Sequence, residues 1–251
     1  PQGALERVHG RLFVAGNGNG RVEVFNLNND GTLAQPTATY ILGKPSEYAR
    51  RSHAGAWSES QTEFPGTLAI DHTNQRLFLV DNATGQSLPG VGSQIMVFDI
   101  HPDRIETGQK VLAVLGQPHA DSKTIGLAAN HVCRRLGLAV DEANQRLFAS
   151  DGSNNRVLIF DISPNNFKTG MDASVVLGQE NFTSREPGLN PYRLSRPGAL
   201  AYDPTNQRLF VSDNGNRRVM IFDVAPDRLQ TFAAATDVMG QPDFDTSKPR
   251  T

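Results

Sequence analysis

The chain has 251 residues, with 24 Lys plus Arg against 26 Asp plus Glu and a formal net charge of -2. Charges so nearly balanced give no overall field that favours a nucleic-acid backbone or an anionic membrane. The one cysteine, Cys133, excludes an intramolecular disulfide and a cysteine-rich zinc site. No apolar run approaches the ~20 residues of a membrane-spanning helix, so we expect a soluble protein with no membrane span.

Four blade-length repeats follow one another, over about residues 1-63, 64-133, 134-195 and 196-251. Each unit carries a Leu-Phe pair, and each later has a phenylalanine followed 18 residues on by a glycine. These pairs are Phe25 with Gly43, Phe98 with Gly116, Phe160 with Gly178, and Phe222 with Gly240. Unit two also carries an eight-residue insertion within residues 83–93. A fixed period of this length indicates a repeat architecture in one domain, 1-251.

Each unit predicts four short antiparallel strands, a to d. In unit four, residues 200–203 predict strand a, an Asn-Gln turn follows, and residues 208–213, 218–223 and 237–240 predict the other three. Strands b and c are apolar at consecutive positions, which is typical of a sheet covered on both faces. One sheet cannot cover itself, so the pattern predicts an all-β fold, a β-propeller of four-stranded antiparallel blades.

The turn between strands b and c resembles that of the NHL repeat, in which an Asp ends strand b and Arg-Val begins a strand that ends in Phe. Residues 151–160 match this pattern best and residues 213–222 nearly as well, while unit one has Gly16 for the Asp and unit two Gln94 for the Arg. The resemblance covers essentially the whole chain. Leu-Gly-Gln-Pro at 115–118 is similar to the long-repeat bacterial members, which implies an extracytoplasmic protein, periplasmic or secreted.

The blade number is left open by the sequence. The chain stops eleven residues past Gly240, whereas earlier units need 23 to 26 residues from that glycine to the next strand a. A segment of a longer, for example six-bladed, propeller is one interpretation, and a closed four-bladed ring is another. An arc completed by a second subunit is the third, and we expect self-association if the ring is incomplete.

Because strand direction alternates, the b–c turns and d–a loops are expected on one face, which holds most of the irregular sequence. The candidate ligand-binding residues on this loop-rich face are Arg50, His53, Trp57, Arg134, Arg135, Tyr192, Arg193 and Arg196. Guanidinium groups match carboxylates, sulfated sugars and phosphates, and Trp57 could stack on a sugar or an aromatic side chain. In the alternative interpretation each Arg pairs with a loop acid or covers apolar surface, and Trp57 pins its own loop.

Metal and catalytic sites have little support in the sequence. His53, His119 and His131 occupy non-equivalent places in their units, so they are not expected to converge on a channel. Six recurring aspartates, Asp71, Asp81, Asp141, Asp151, Asp203 and Asp213, predict carboxylates that accept N–H groups of the following turns. We predict no cofactor, with Ca²⁺ or Zn²⁺ in the channel as the alternative. Neither Gly-x-Ser-x-Gly nor His-Glu-x-x-His occurs, so no catalytic residue is predicted.

These observations predict a non-catalytic propeller that binds a protein or carbohydrate ligand through its loop-rich face. The alternative is a metal-dependent lyase or hydrolase with its site at the channel mouth, as the resemblance to NHL-related enzymes implies. RNA binding, found in some NHL proteins, requires a continuous basic face and is disfavoured by the charge balance.

Overall fold

The computed structural model describes residues 2–6 (backbone only), 9–16, 18–44, 61–82, 92–122, 124–134 and 137–248. Within these residues the strands are β1 (Gln2–Glu6), β2 (Arg11–Gly16), β3 (Arg21–Asn26), β4 (Tyr40–Leu42), β5 (Pro65–Asp71), β6 (Arg76–Asp81), β7 (Gln94–Asp99), β8 (Ala113–Leu115), β9 (Leu138–Asp141), β10 (Arg146–Asp151), β11 (Arg156–Asp161), β12 (Val175–Leu177), β13 (Pro197–Asp203), β14 (Arg208–Asp213), β15 (Arg218–Asp223) and β16 (Asp237–Met239). Two single-turn 3-10 segments, Gly152–Asn154 and Asn214–Asn216, lie in b–c turns. Among these residues, no helix is long and apolar enough to cross a membrane.

The strands form four antiparallel four-stranded sheets, each in the sequential order a, b, c, d. We call them blade 1 (β1–β4), blade 2 (β5–β8), blade 3 (β9–β12) and blade 4 (β13–β16). The predicted all-β architecture and strand order are confirmed.

The a–b turns explain part of the sequence repeat. In blade 3, one oxygen of Asp141 accepts the Asn144 N–H at 3.1 Å, and the other accepts the Arg146 guanidinium. Gln145 closes the turn in the left-handed region at φ 51°, as Gln75 does in blade 2. The role predicted for the aspartates that end strand a is therefore confirmed, because their oxygens accept donors of the following turn. For the aspartates that end strand b the prediction was wrong about the backbone partner: Asp81, Asp151 and Asp213 accept N–H groups of the preceding d–a loop.

The chain divides into two compact units, which are numbered unit 1 and unit 2 and are distinct from the four sequence repeats called units one to four. Unit 1 contains Pro1–Thr124 with Lys168–Gly170, and unit 2 contains Ile125–Phe167 with Met171–Thr251. The core of unit 1 joins apolar side chains of blades 1 and 2, and the core of unit 2 joins those of blades 3 and 4. In each core, residues from strands b and c of one blade meet those of its neighbour. The prediction of a single domain over 1-251 stays a prediction.

The blades differ in how far their faces are covered. All six residues of β6 and of β10 are buried, as expected for strands with both faces packed. In β2 buried and half-buried residues alternate, and β14 likewise has buried residues at every second position. Blades 1 and 4 therefore each leave one face partly open to solvent.

The outer edge of strand d is covered in blades 1, 2 and 3 by a short segment that we call the edge clamp. Its first residue is a threonine whose Oγ1 accepts the N–H of the middle residue of strand d. The next residue donates its own N–H to the carbonyl of that same middle residue. The three clamps are Thr107-Gly108 on Ile41, Thr169-Gly170 on Val114 and Thr231-Phe232 on Val176.

Candidate ligand-binding site

The buried Asp-Arg pair of the b–c turn fixes the loops on either side of blade 3. Arg156 is fully buried and donates from Nε to Asp151 Oδ2 at 3.0 Å. It also donates to the carbonyls of Leu127 and His131, each at 2.8 Å, and to that of Phe182. The residues that carry the NHL resemblance thus anchor two loops from beneath and are not exposed to a ligand.

The same device positions the loop between blades 3 and 4. Arg218 pairs with Asp213 at 2.7 Å and donates to the carbonyls of Asn190 and Arg193, each at 3.1 Å. From the other side, Asn155 donates to the Arg185 carbonyl and accepts the Arg196 N–H at 2.7 Å. The loop over residues 178–196 is therefore held at both ends before any ligand binds.

The loop over residues 178–196 carries an exposed aromatic residue, Tyr192. The Tyr192 ring, with 42% of the residue exposed, lies 5.1 Å from the Phe232 ring at an interplanar angle of 32°. The guanidinium carbon of Arg193 lies 5.8 Å from the Phe232 centroid, and Arg193 forms an ion pair with Glu180. We call Tyr192, Arg193, Phe232 and Glu180 the Tyr192 platform. It presents one aromatic face and a bound guanidinium side by side.

The backbone of Phe232 is strained. Its φ is 60°, in the left-handed region, whereas the other two clamps have glycine here, with φ 80° at Gly108 and 73° at Gly170. A bulky residue in this region costs on the order of 1–3 kcal/mol and persists only where its surroundings hold it. Because the ring of Phe232 supports both Tyr192 and Arg193, the platform depends on this strained residue.

The remaining predicted residues have mixed environments. Arg196 is exposed and adopts φ 52°, and Arg134 is half-buried with its carbonyl accepting the Gly152 N–H at 3.1 Å. Arg193 follows the alternative interpretation, since it pairs with the loop acid Glu180. The other predicted binding residues, Arg50, His53, Trp57 and Arg135, lie outside the described residues, as does most of the unit-two insertion.

The electrostatics beneath the loops suit a fixed scaffold. Burial lowers the pKa of His131, and the neighbouring Arg156 lowers it further. Burial raises the pKa of Asp151 and of Asp213 against the opposing effect of their arginines. His119 is exposed, and in the described part of the chain no three His, Cys, Asp or Glu side chains are grouped to hold a metal ion.

A groove of about 570 Å³ lies between the a–b turn of blade 3 and the c–d segment of blade 4. Arg146, on its wall, is already bonded to Asp141 and to the Val224 carbonyl at 2.8 Å. The Arg146 guanidinium is therefore already engaged and does not add a free cationic group to the groove. We regard the groove as a weaker candidate site than the Tyr192 platform.

Sequence reasoning missed Phe232 because it considered only the b–c and d–a loops as the binding face. The c–d segment of blade 4 instead extends to the loop that carries Tyr192, where the Ala235 N–H donates to the Pro191 carbonyl at 2.8 Å. The sequence does hold a signal, because Thr231-Phe232 stands where the two preceding units have Thr-Gly.

No protein-family model matches the chain, and no curated protein matches it. Among the solved structures that resemble it are three at 14–17% identity. A candidate 6-phosphogluconolactonase from Bacteroides uniformis has 17% identity and a TM-score of 0.54 over 96% of this chain and 57% of that one. A chain of the nidogen/laminin complex has 15% identity and a TM-score of 0.52 over 95% and 62%. A protein from Lactobacillus plantarum has 14% identity and a TM-score of 0.52 over 95% and 54%.

The chain thus spans little more than half the length of these relatives. Identities this low carry information about the fold and none about the activity. Together with the four antiparallel four-stranded sheets, they show that the chain has the β-propeller fold.

Proposed function

We propose that the protein is a non-catalytic binding module that takes a protein or glycan ligand on the loops of unit 2. The observation that carries this proposal is the strained Phe232, whose ring supports an exposed Tyr192 and the guanidinium of Arg193. Strain of this kind is retained where it has a use, and a strain-free glycine serves at the same place in two other clamps.

The platform favours a ligand that offers a flat or apolar group beside a negative group. A tyrosine ring stacks on a sugar ring or on an aliphatic or aromatic side chain, and it loses little conformational entropy on binding. Exposed Arg185 and Arg196, whose backbones both bond to Asn155, carry cationic charge on the same loop as Tyr192. A guanidinium binds carboxylate and sulfate groups through paired hydrogen bonds.

The acids of the b–c turns support binding over catalysis. Asp81 accepts the N–H groups of Glu63 and Phe64 at 2.9 Å each. Asp213 accepts the Ser195 N–H and pairs with Arg218. These carboxylates hold the ends of the d–a loops, and the Asp-Arg pairs support our assignment of the blades to the NHL repeat type.

The proposal is tested by screening the protein on arrays of neutral glycans, acidic glycans and peptides. We expect Tyr192→Ala to weaken binding at least about 30-fold, the effect of losing about 2 kcal/mol at an interface hot spot. Leu112→Ala is the matched control, because Leu112 is 52% exposed and lies in unit 1. Equal affinities of wild type, Tyr192→Ala and Arg193→Ala for every ligand found would remove the platform from the proposal.

A further inference from the structure

The edge clamps show how this chain covers the open edge of a blade. In unit 1, Val114 donates to Thr169 Oγ1 at 3.2 Å and accepts the Gly170 N–H at 3.0 Å. In unit 2, Val176 donates to Thr231 Oγ1 at 3.4 Å and accepts the Phe232 N–H at 2.9 Å. In each clamp the threonine stands nine residues after the phenylalanine of its own strand c, as in Phe98 to Thr107.

Blade 4 has the same edge without a clamp. Val238 pairs with Met220 as Val176 pairs with Leu158, so its N–H and carbonyl take the corresponding outward positions. No residue of the described chain occupies the place of the threonine and its neighbour on Val238. The next residue, Met239, is 53% exposed, whereas Leu177 at the equivalent place is fully buried.

The sheet face beside this edge is also open. Phe148 and Val157 of blade 3 are fully buried in the core of unit 2. Their counterparts in blade 4, Phe210 and Val219, are only half-buried. Blade 4 thus presents an apolar face together with a free strand edge, the two elements that a neighbouring blade covers at blade 3.

Blade 1 of a second copy does not supply the missing clamp. Nine residues after Phe25 stands Ala34, followed by Gln35, so neither the hydroxyl acceptor nor the glycine is present. On the corresponding face, Glu23 replaces the methionine or leucine of the other blades and is paired with Arg21 at 2.6 Å. A half-buried ion pair is poorly suited to pack on Phe210.

We propose that the outer edge of β16 is a docking surface for a further blade of the same repeat, one that carries Thr-Gly nine residues after its strand-c phenylalanine. The threonine Oγ1 accepts the Val238 N–H, and the glycine N–H donates to the Val238 carbonyl. The apolar face of that blade covers Phe210 and Met239. The interaction is an addition at a strand edge, with main-chain bonds supplying affinity and the threonine supplying selectivity.

The experiment uses the chain labelled with ¹⁵N and, as the probe, a synthetic peptide that copies residues 162–176, which contain the Thr169-Gly170 clamp. We expect the Val238 amide resonance to shift saturably as the peptide is added. The amides of Val114 and Val176 already have clamps and are expected to stay unchanged. Thr169→Val in the peptide removes one acceptor and is expected to weaken binding about two- to tenfold, the effect of one net hydrogen bond.

The matched protein control is Val238→Pro, because proline is tolerated on an edge strand but has no N–H to donate. This variant must lose the shifts at the neighbouring amides of β16. An unmoved Val238 resonance, or equal binding of the Thr169→Val peptide, would overturn the proposal. Concentration-dependent self-association that protects the Val238 amide would also overturn it, by assigning the surface to a second copy.

Discussion

Replacement of Arg156 by glutamine tests whether the buried Asp-Arg pair holds the loops of unit 2. Arg156→Gln removes the guanidinium that pairs with Asp151 and donates to the Leu127, His131 and Phe182 carbonyls. Removing one partner of a buried ion pair costs about 3–5 kcal/mol. The new amide recovers about one hydrogen bond, worth about 1 kcal/mol. We therefore expect the free energy of unfolding to fall by about 2–4 kcal/mol.

Urea denaturation at neutral pH measures this change. With an m-value near 2 kcal/mol/M, the midpoint is expected to fall by about 1–2 M. Hydrogen exchange should accelerate over residues 125–134, which Arg156 anchors. Arg185→Gln is the matched control, because Arg185 is exposed and its loss should cost no more than about 0.5 kcal/mol. Equal losses of stability in the two variants would refute the anchoring role of Arg156. Glutamine is the suitable replacement, because Gln94 already stands at this place in blade 2.

Three further outcomes are expected. Burial and Arg156 lower the pKa of His131, so the unfolded chain binds the proton first as the pH falls. The contribution of His131 to the free energy of unfolding is full above about pH 6.5 and is lost as the pH drops below that value. His131→Gln should flatten this pH dependence in urea titrations, and an unchanged pH dependence would contradict the reasoning. Burial, followed by the adjacent Asp141, raises the pKa of Tyr202 to about 12. Spectrophotometric titration should therefore show one tyrosine that ionises at a higher pH than the others, and Tyr202→Phe should remove that step. Loss of a step at lower pH in this variant would count against the assignment. Phe232→Gly should change the free energy of unfolding by less than about 1 kcal/mol, because relief of backbone strain offsets the lost ring contacts. The same variant should weaken ligand binding, and a loss of stability with unchanged binding would reverse our interpretation.

The strands were predictable because the repeat combines several local signals that agree. The Asp, Asn-Gln and Arg of each a–b turn fix a tight connection, and their spacing recurs in units two, three and four. In blade 3 the carboxylate of Asp141 and the left-handed Gln145 perform this role with short-range contacts alone. Local chemistry of this kind can be recognised in a single sequence.

The site was only partly predictable because its contacts join distant segments. Tyr192 and Arg193 could be named as loop residues, but Phe232 is 40 residues beyond Tyr192. It is brought there by long-range bonds of its c–d segment to Val176 and Pro191. Glu180 was also missed, since nothing in its neighbours indicates that it pairs with Arg193. In the first repeat a local contact replaces a recurring one. Gly16 stands at the place of the turn aspartate, and Arg21 pairs instead with Glu23, two residues away.

The bare edge of blade 4 also has a consequence for aggregation. An unpaired strand edge is a template on which other chains can add strands and aggregate. Here the edge strand β16 is only three residues long and begins with the exposed, charged Asp237. A short edge with a charge at its start limits runaway strand addition while leaving one defined pair of main-chain groups, those of Val238, for a selective partner.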